Sequence, residues 1–211
     1  MGGLRPPPDI TMPDFSHTCL RTERLLLRPL RPADAPQLFT IFSDPRVMRY
    51  WSTPPWPDLK PAHAMIERDL KAMAAGEHVR FGIERLADGV LFGQCTLFSW
   101  SASCRRAEIG YGQAAGAWGQ GFMHEALQTL LDFGFGAMNL NRIEADIDPR
   151  NLASARSLLR LGFRLEGQLR ERWIVGDEVS DSALYGLLRA EWVADPQATP
   201  SSAHPGTPPP E

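Results

Sequence analysis

The sequence predicts a mixed α/β fold: a predominantly antiparallel sheet of seven strands with helices on both faces. Three observations predict it. Apolar runs of strand length come in consecutive pairs separated by turn residues, which favours hairpins and antiparallel pairing. One strand–helix–strand unit over residues 107–147 requires a crossover, and so one parallel pair with a right-handed connection. Helical periodicity recurs between the strands, most clearly over Phe122–Met138. The chain has 211 residues, 43% of them apolar, enough to bury one sizeable core.

In chain order, Arg24–Leu30 (RLLLRPL) reads as the first strand. Pro32–Phe42 reads as a helix with proline in its tolerated first turn and Ala35, Leu38, Phe39 and Phe42 at helical spacing. A short helix is expected at Arg46–Trp51, and the proline-rich stretch Thr53–Pro57 must be a loop. Pro61–Ala75 carries Met65, Ile66, Leu70 and Met73 on one helical face and stops near Gly76. Val79–Arg85 and Val90–Trp100 flank Asp88-Gly89, a hairpin signal. Ala107–Gly112 is the fourth strand. In the Phe122–Met138 helix, Phe122, Ala126 and Leu130 form one apolar row and Met123, Leu127, Leu131 and Phe135 the adjacent one. Arg142–Ile147 is a strand and Asn151–Leu161 a helix stopped by Gly162. Arg164–Val175 and Val179–Leu188 form a last hairpin turning at Gly176-Asp177.

The ends differ in composition from the middle. Residues 1–19 and 194–211 are proline-rich and poor in apolar side chains, so they are expected to be disordered or loosely attached, with one domain over 20–193. A formal net charge of −3 disfavours nucleic-acid binding. No apolar run approaches the ~20 residues of a membrane span, and prolines stand where a signal peptide needs an apolar core. The three cysteines Cys19, Cys95 and Cys104 have no paired spacing, so a cytoplasmic setting is expected and neither a disulfide scaffold nor a zinc knuckle is. His124-Glu125 starts like a zincin motif, but Gln128 stands where the second histidine belongs, and no metal is expected.

The most informative segment is Gly116–His124, where a strand (AEIGYG) runs through a glycine-rich loop straight into a helix. Unpaired N–H groups and partial positive charge at a helix N-terminus, with Gly119 and Gly121 admitting close backbone approach, make a cradle for a phosphate or pyrophosphate. A tight strand-to-helix turn without a ligand is the competing reading. A Walker loop is excluded for want of Gly-Lys-Ser/Thr, and a dinucleotide fingerprint fails because His124 occupies the third glycine's place.

Read whole, AEIGYGQAAGAWGQGFMHEAL resembles the acetyl-CoA loop of the GNAT acetyltransferase superfamily, and most of all its branch of ribosomal-protein N-terminal acetyltransferases. The resembling positions are Ile109, Gly110, Tyr111, Trp118, Gly119, Gln120, Gly121, Phe122 and Glu125, with Met123 and His124 departing from the usual small residues. Thr22–Phe39, Ser43-Asp44-Pro45, Asn151–Ser154, Leu161-Gly162-Phe163 and the closing hairpin through Glu191-Trp192 continue the resemblance in the family's order.

The resemblance implies a splay between the fourth and fifth strands that admits the pantetheine arm, and direct attack of an amine on the thioester of acetyl-CoA. It places the cofactor on Gln113, Ala114, Ala115, Trp118, Gly119, Gln120, Gly121, Phe122, Met123, His124 and Asn151. Asn151 is also a good helix N-cap. Leu158 stands where many relatives carry a tyrosine that protonates the thiolate, and Ser154 is the candidate for assisting the sulfur instead. Glu108, on the fourth strand, and Glu171, on the sixth, are the candidate general bases. Tyr50, Trp51 and Trp56, with Arg46 and Arg49, could shape an acceptor pocket or act as packing lids. The implied activity is N-acetylation of a primary amine, preferably a protein or peptide α-amino group. A small-molecule amine and a non-catalytic CoA-binding module are the alternatives. The assembly is expected to be a monomer or a homodimer.

Overall fold

The computed structural model describes residues 13–193. The parts of the proline-rich ends at 1–12 and 194–211 lie outside the described residues. The elements are β1 (Leu20–Arg21), β2 (Leu25–Pro29), a 3-10 turn (Pro32–Asp34), α1 (Ala35–Phe42), α2 (Pro45–Met48), α3 (Lys60–Ala74), β3 (Val79–Arg85), β4 (Val90–Ser101), β5 (Arg106–Gln113), a second 3-10 turn (Ala115–Ala117), α4 (Phe122–Phe135), β6 (Arg142–Ile147), α5 (Leu152–Arg160), β7 (Arg164–Val175), β8 (Glu178–Leu188) and α6 (Arg189–Val193). The sheet has eight strands in the order β1-β2-β3-β4-β5-β6-β8-β7. All neighbours are antiparallel except β5 and β6. The expected mixed sheet is therefore present, and the additional strand is the two-residue β1, too short to carry a periodic signal.

Helices cover both faces. Along β4, Leu91 belongs to an apolar cluster with α1, α2 and α3, while Phe92, Cys95 and Leu97 join a larger cluster built around α4. A β-bulge at Phe92, opposite the Ile83–Glu84 step of β3, shifts the alternation, so Leu91 faces one layer while Cys95 and Leu97 face the other. Gly134 lets α4 lie close on the sheet: a Cβ there would stand 2.9 Å from Leu97 Cδ1.

Three expectations are corrected. The α4 helix ends at Phe135, not Met138, because the chain leaves helical geometry at Gly136. Residues 13–19, expected to be loose, pack on the domain: Phe15 is buried, stacks edge-on to Phe133 at 5.3 Å, and donates its N–H to Met73 O. A final helix, α6, was not expected; it buries Trp192, whose indole donates to Asp132 at 2.8 Å.

A buried ion cluster ties the first layer together. Arg28, 4% exposed, makes a two-pronged pair with Asp34 at 2.7 and 2.9 Å and reaches Glu84 at 2.7 Å. It fixes the turn before α1 against β2 and β3, and with it the start of the α1–α2 layer over the sheet.

Candidate active site

Two features converge on the C-terminal end of β5. The first is the glycine loop. Gly119 and Gly121 adopt left-handed φ of 75° and 76°, a region costly for other residues. Gly121 is the N-cap of α4 and provides no side-chain acceptor. The first bond into α4 runs from Glu125 N to Gly121 O at 3.1 Å, so the amides of the preceding turn have no intrahelical partner. Open space surrounds Gly119 on its Cβ side. This is a cradle of free N–H groups at the positive end of a helix, and it fits an anionic pyrophosphate.

Arg24 supplies a cation there that the sequence reading did not assign. Its guanidinium lies 3.6 Å from where a Gly121 Cβ would be, stacks over Phe122, and donates to Gln120 O at 3.2 Å. Glu125 holds it through a 2.6 Å pair and also accepts from Thr22 Oγ1. Burial raises the Glu125 carboxyl, but the hydrogen bonds from Thr22 and Arg24 outweigh it and leave the group below its ordinary range. Burial, and then the charge of Arg160, lowers His124, so this histidine favours its neutral form. Trp118 is half exposed, with its indole bonded to Gln113 O.

Of the backbone N–H groups expected to meet the pantetheine arm at residues 113–115, that of Ala114 is already engaged. It donates to Phe92 O at 2.8 Å, and the carbonyls of Ala114 and Ala115 accept from Ala117 and Trp118. Gln113 is in register with Gly93 of β4, and since the Ala114 N–H points to β4, alternation turns the Gln113 N–H to the opposite edge. The free backbone edge runs along β5 from where β6 leaves it to Gln113.

That edge is the second feature. Parallel pairing of β5 with β6 runs only from Arg106↔Arg142 to Glu108↔Glu144. Beyond it β5 continues on β4 to Gln113, and β6 continues on β8 to Ile147. The two strands part, as expected, and backbone groups at the parting face no strand partner. A cavity of about 770 Å³ occupies the split, and it is lined from both sheet faces: Glu108 and Gly110 from one, Ile109 and Tyr111 from the other.

Ser154 and Asn151 line this cavity from the start of α5. Asn151 is the N-cap, its Oδ1 accepting from Ser154 N at 3.1 Å, so the capping reading holds. Ser154 Oγ lies 2.6 Å from the Tyr111 hydroxyl. Burial pushes the Tyr111 phenol up to about 12, against a smaller lowering by the Ser154 bond. Leu158 is fully buried in the core.

Glu108 lines the cavity, and Arg106 nearby turns instead to Glu144, which leaves Glu108 without an ion pair among the described residues. Glu171 does not line it. Leu169 faces Ser182 and Trp173 faces Ser180, so residues 170–172 bulge opposite the single residue Asp181. Glu171 sits on that bulge with φ 51°, exposed, its N–H on Asp181 Oδ1 at 2.8 Å. The bulge turns Glu171, which the family resemblance suggested as a base, away from the cavity and brings Arg172 and Trp173 to it instead. The second carboxylate there is Asp146, which the sequence reading missed; its Oδ1 is buried without a hydrogen-bond partner.

The remaining cavity acids are neutralised locally. Arg172 pairs with Asp146 at 3.1 Å, Arg150 with Asp148 and Glu178, and Arg49 with Glu178 at 3.1 Å. On the floor, Arg80 bonds Gln94 at 2.7 Å and lies 2.6 Å from the buried carboxylate of Asp69, which His78 also contacts at 3.1 Å. Tyr50 and Trp51 line the mouth, whereas Trp56 packs on Phe42 in the core at 4.7 Å and Arg46 turns to Asp44.

The site joins a helix N-terminal anion cradle to a split parallel pair, and residues 24–164 match the Acetyltransferase (GNAT) domain family. The chain belongs to the GNAT acetyltransferases. Its relatives include the N-acetyltransferase p20 of Bacillus licheniformis, 37% identical over 173 residues that span 82% of this chain and 97% of p20. Among solved structures, the spermidine N-acetyltransferase of Vibrio cholerae, in complex with CoA and spermine, superposes with a TM-score of 0.72 at 23% identity over 82% of this chain and 99% of that one. The ribosomal-protein-S5-alanine acetyltransferase of Vibrio fischeri does so with 0.74 at 20% identity over 83% and 98%. At that identity the two structures establish the shared fold. This GNAT chain is an N-acetyltransferase, and acetyl-CoA is the family's acetyl donor. Among the described residues no helix is long and apolar enough to cross a membrane.

Proposed function

We propose that this enzyme acetylates the α-amino group of a peptide or protein N-terminus, as the ribosomal-protein branch of the superfamily does, on one domain spanning residues 20–193. The carrying observation is the charge arrangement of the cavity. Glu108 is the one carboxylate there without an ion pair among the described residues, while Asp146, Asp148 and Glu178 are each matched by an arginine. A single ammonium beside Glu108 fits this balance. A polyamine would find this one unpaired carboxylate for several ammonium groups, because Asp146, Asp148 and Glu178 are already matched by Arg172, Arg150 and Arg49.

Acetyl-CoA supplies the thioester. The amides of 119–124 and the Arg24 guanidinium hold its pyrophosphate, and the open edge of β5 past Glu108 offers hydrogen bonds to its amide-bearing arm. The Asn151 side-chain N–H₂ is free to join them while its oxygen caps α5. Glu108 accepts the ammonium proton, directly or through water, and Ser154 stabilises the charge that grows on sulfur. No covalent acyl-enzyme is needed.

The test is a free-thiol release assay with acetyl-CoA against a panel of peptides with Ser or Ala N-termini, amino-acid amides and spermidine. Faster turnover of the peptides supports the reading. Preference for spermidine would assign a small-amine acceptor, and tight acetyl-CoA binding with no thiol release on any amine would make the chain a CoA-binding module.

A further inference from the structure

We propose that Tyr111 is a positioning residue for Ser154: its phenol donates to Ser154 Oγ and thereby leaves the serine's own proton directed at the departing sulfur. The inference rests on the proposed role of Ser154. Tyr111 lies on β5 just past the point where β6 leaves it, and Ser154 lies in the first turn of α5 across the split. Their oxygens are 2.6 Å apart and both line the cavity. The Ser154 backbone is held by the Asn151 cap, so the rotation of its hydroxyl is the remaining freedom.

Two arrangements of the pair exist. If Ser154 donates to Tyr111, its proton is turned away from the sulfur. If Tyr111 donates to Ser154, the serine proton is free, and a hydroxyl that accepts a hydrogen bond becomes a stronger donor itself. Negative charge growing on sulfur selects the second arrangement. Burial keeps the phenol neutral at ordinary pH, with a pKa pushed up to about 12, so it acts as a donor rather than an anion. A thiol is the stronger acid, near ~8.5. Neither hydroxyl therefore gives up its proton. Ser154 and Tyr111 hold their hydrogen bonds while the C–S electron pair stays with sulfur; the ammonium proton passes through Glu108 to solvent before attack, and the second proton, lost by nitrogen as the adduct collapses to the amide, is taken by Glu108 and balances the charge on sulfur. The wider superfamily's helix tyrosine is replaced here by Leu158, and the phenol comes instead from a strand, acting through a serine.

The experiment compares wild type, Tyr111→Phe, Ser154→Ala and the double variant. Two readouts are taken: kcat and acetyl-CoA KM by thiol release, and the titration of enzyme-bound CoA thiol. The second is the thiolate ultraviolet absorbance of the CoA complex minus that of the desulfo-CoA complex, which cancels protein tyrosinate. Tyr111→Phe should lower kcat about 10-fold with KM within about twofold, and raise the bound thiol's titration midpoint by about one pH unit. Adding Tyr111→Phe to Ser154→Ala should change neither readout further. A Tyr111→Phe enzyme with wild-type kcat and thiol titration overturns the proposal. So does an effect that multiplies with that of Ser154→Ala, since Tyr111 would then act independently. Ser154→Ala approaches the same bond from the other side, so a folding defect in one variant leaves the other decisive. If wild type itself releases no thiol, the functional reading falls, and that outcome is distinct from an active wild type indifferent to Tyr111→Phe.

Discussion

Replacing Gly121 by valine separates strain from ligand binding in the glycine cradle. Gly121 has φ 76°, and the nearest atom to an added Cβ is an Arg24 guanidinium nitrogen at 3.6 Å, an ordinary contact. The stability cost is therefore backbone strain, about 1–2 kcal/mol for a left-handed non-glycine residue. For a domain of this size that lowers Tm by about 2–8 °C. Ligand binding is affected separately, because a valine side chain covers the amides that face the pyrophosphate. Acetyl-CoA at about 100 times its Kd stabilises the wild type by about 2.7 kcal/mol, or about 5–11 °C. The assay is a thermal melt with and without acetyl-CoA. Gly121→Val should start lower and lose most of the ligand shift. Gly116→Ala, where an added Cβ meets nothing within 4 Å and φ is not left-handed, should match wild type in both. A folded Gly121→Val with the full ligand shift would refute the cradle as the pyrophosphate site.

Other outcomes follow from single contacts. Asn151→Ala should cost about 1 kcal/mol, read as about 2–4 °C in Tm, and weaken acetyl-CoA binding in a titration; a melting change with unaltered affinity would leave the cap as its whole role. Glu108→Gln should lower kcat about 100-fold with little change in Tm, because the carboxylate has no ion pair to lose; unchanged turnover would move the base to Asp146 or to water. Asp69→Asn should cost about 3–5 kcal/mol by stranding Arg80, a drop of about 6–20 °C checked by melting. Burial raises the Asp69 carboxyl, but His78, Arg80 and Arg68 together hold it below its ordinary value. The unfolded chain then binds more protons in acid, so stability should be full above about pH 4 and fall as the pH drops below it. Asp69→Asn should flatten that acid limb; an unaltered limb would remove Asp69 from its origin.

Local chemistry made most of the fold readable. Apolar runs of strand length flank the turn residues Asp88-Gly89 and Gly176-Asp177, and α4 starts where glycine supplies a left-handed cap. What stayed hidden depends on partners far away in the chain. Arg24 is placed by Glu125, 101 residues on, and Phe15 is held by Met73 and Phe133. The bulge at 170–172 has no composition signal: Glu171 takes a positive φ because Asp181 opposite captures its N–H. The resemblance that suggested Glu171 carries no sign of this bulge, and Asp146 went unassigned. Tyr111 was visible as part of the Ile-Gly-Tyr run, but its partnership with Ser154 arises only once α5 crosses the split.

The central claim is acetyl transfer at the split between β5 and β6 to an α-amino group. Its most direct measurement is thiol release by the wild-type enzyme from acetyl-CoA with a free Ser- or Ala-starting peptide, beside the same peptide already blocked at its N-terminus. The account predicts release with the free peptide only, one acetyl group on its α-nitrogen by mass spectrometry, and a turnover above that with spermidine. Equal release with the blocked peptide, or an acetyl group found on a lysine side chain instead, would contradict it.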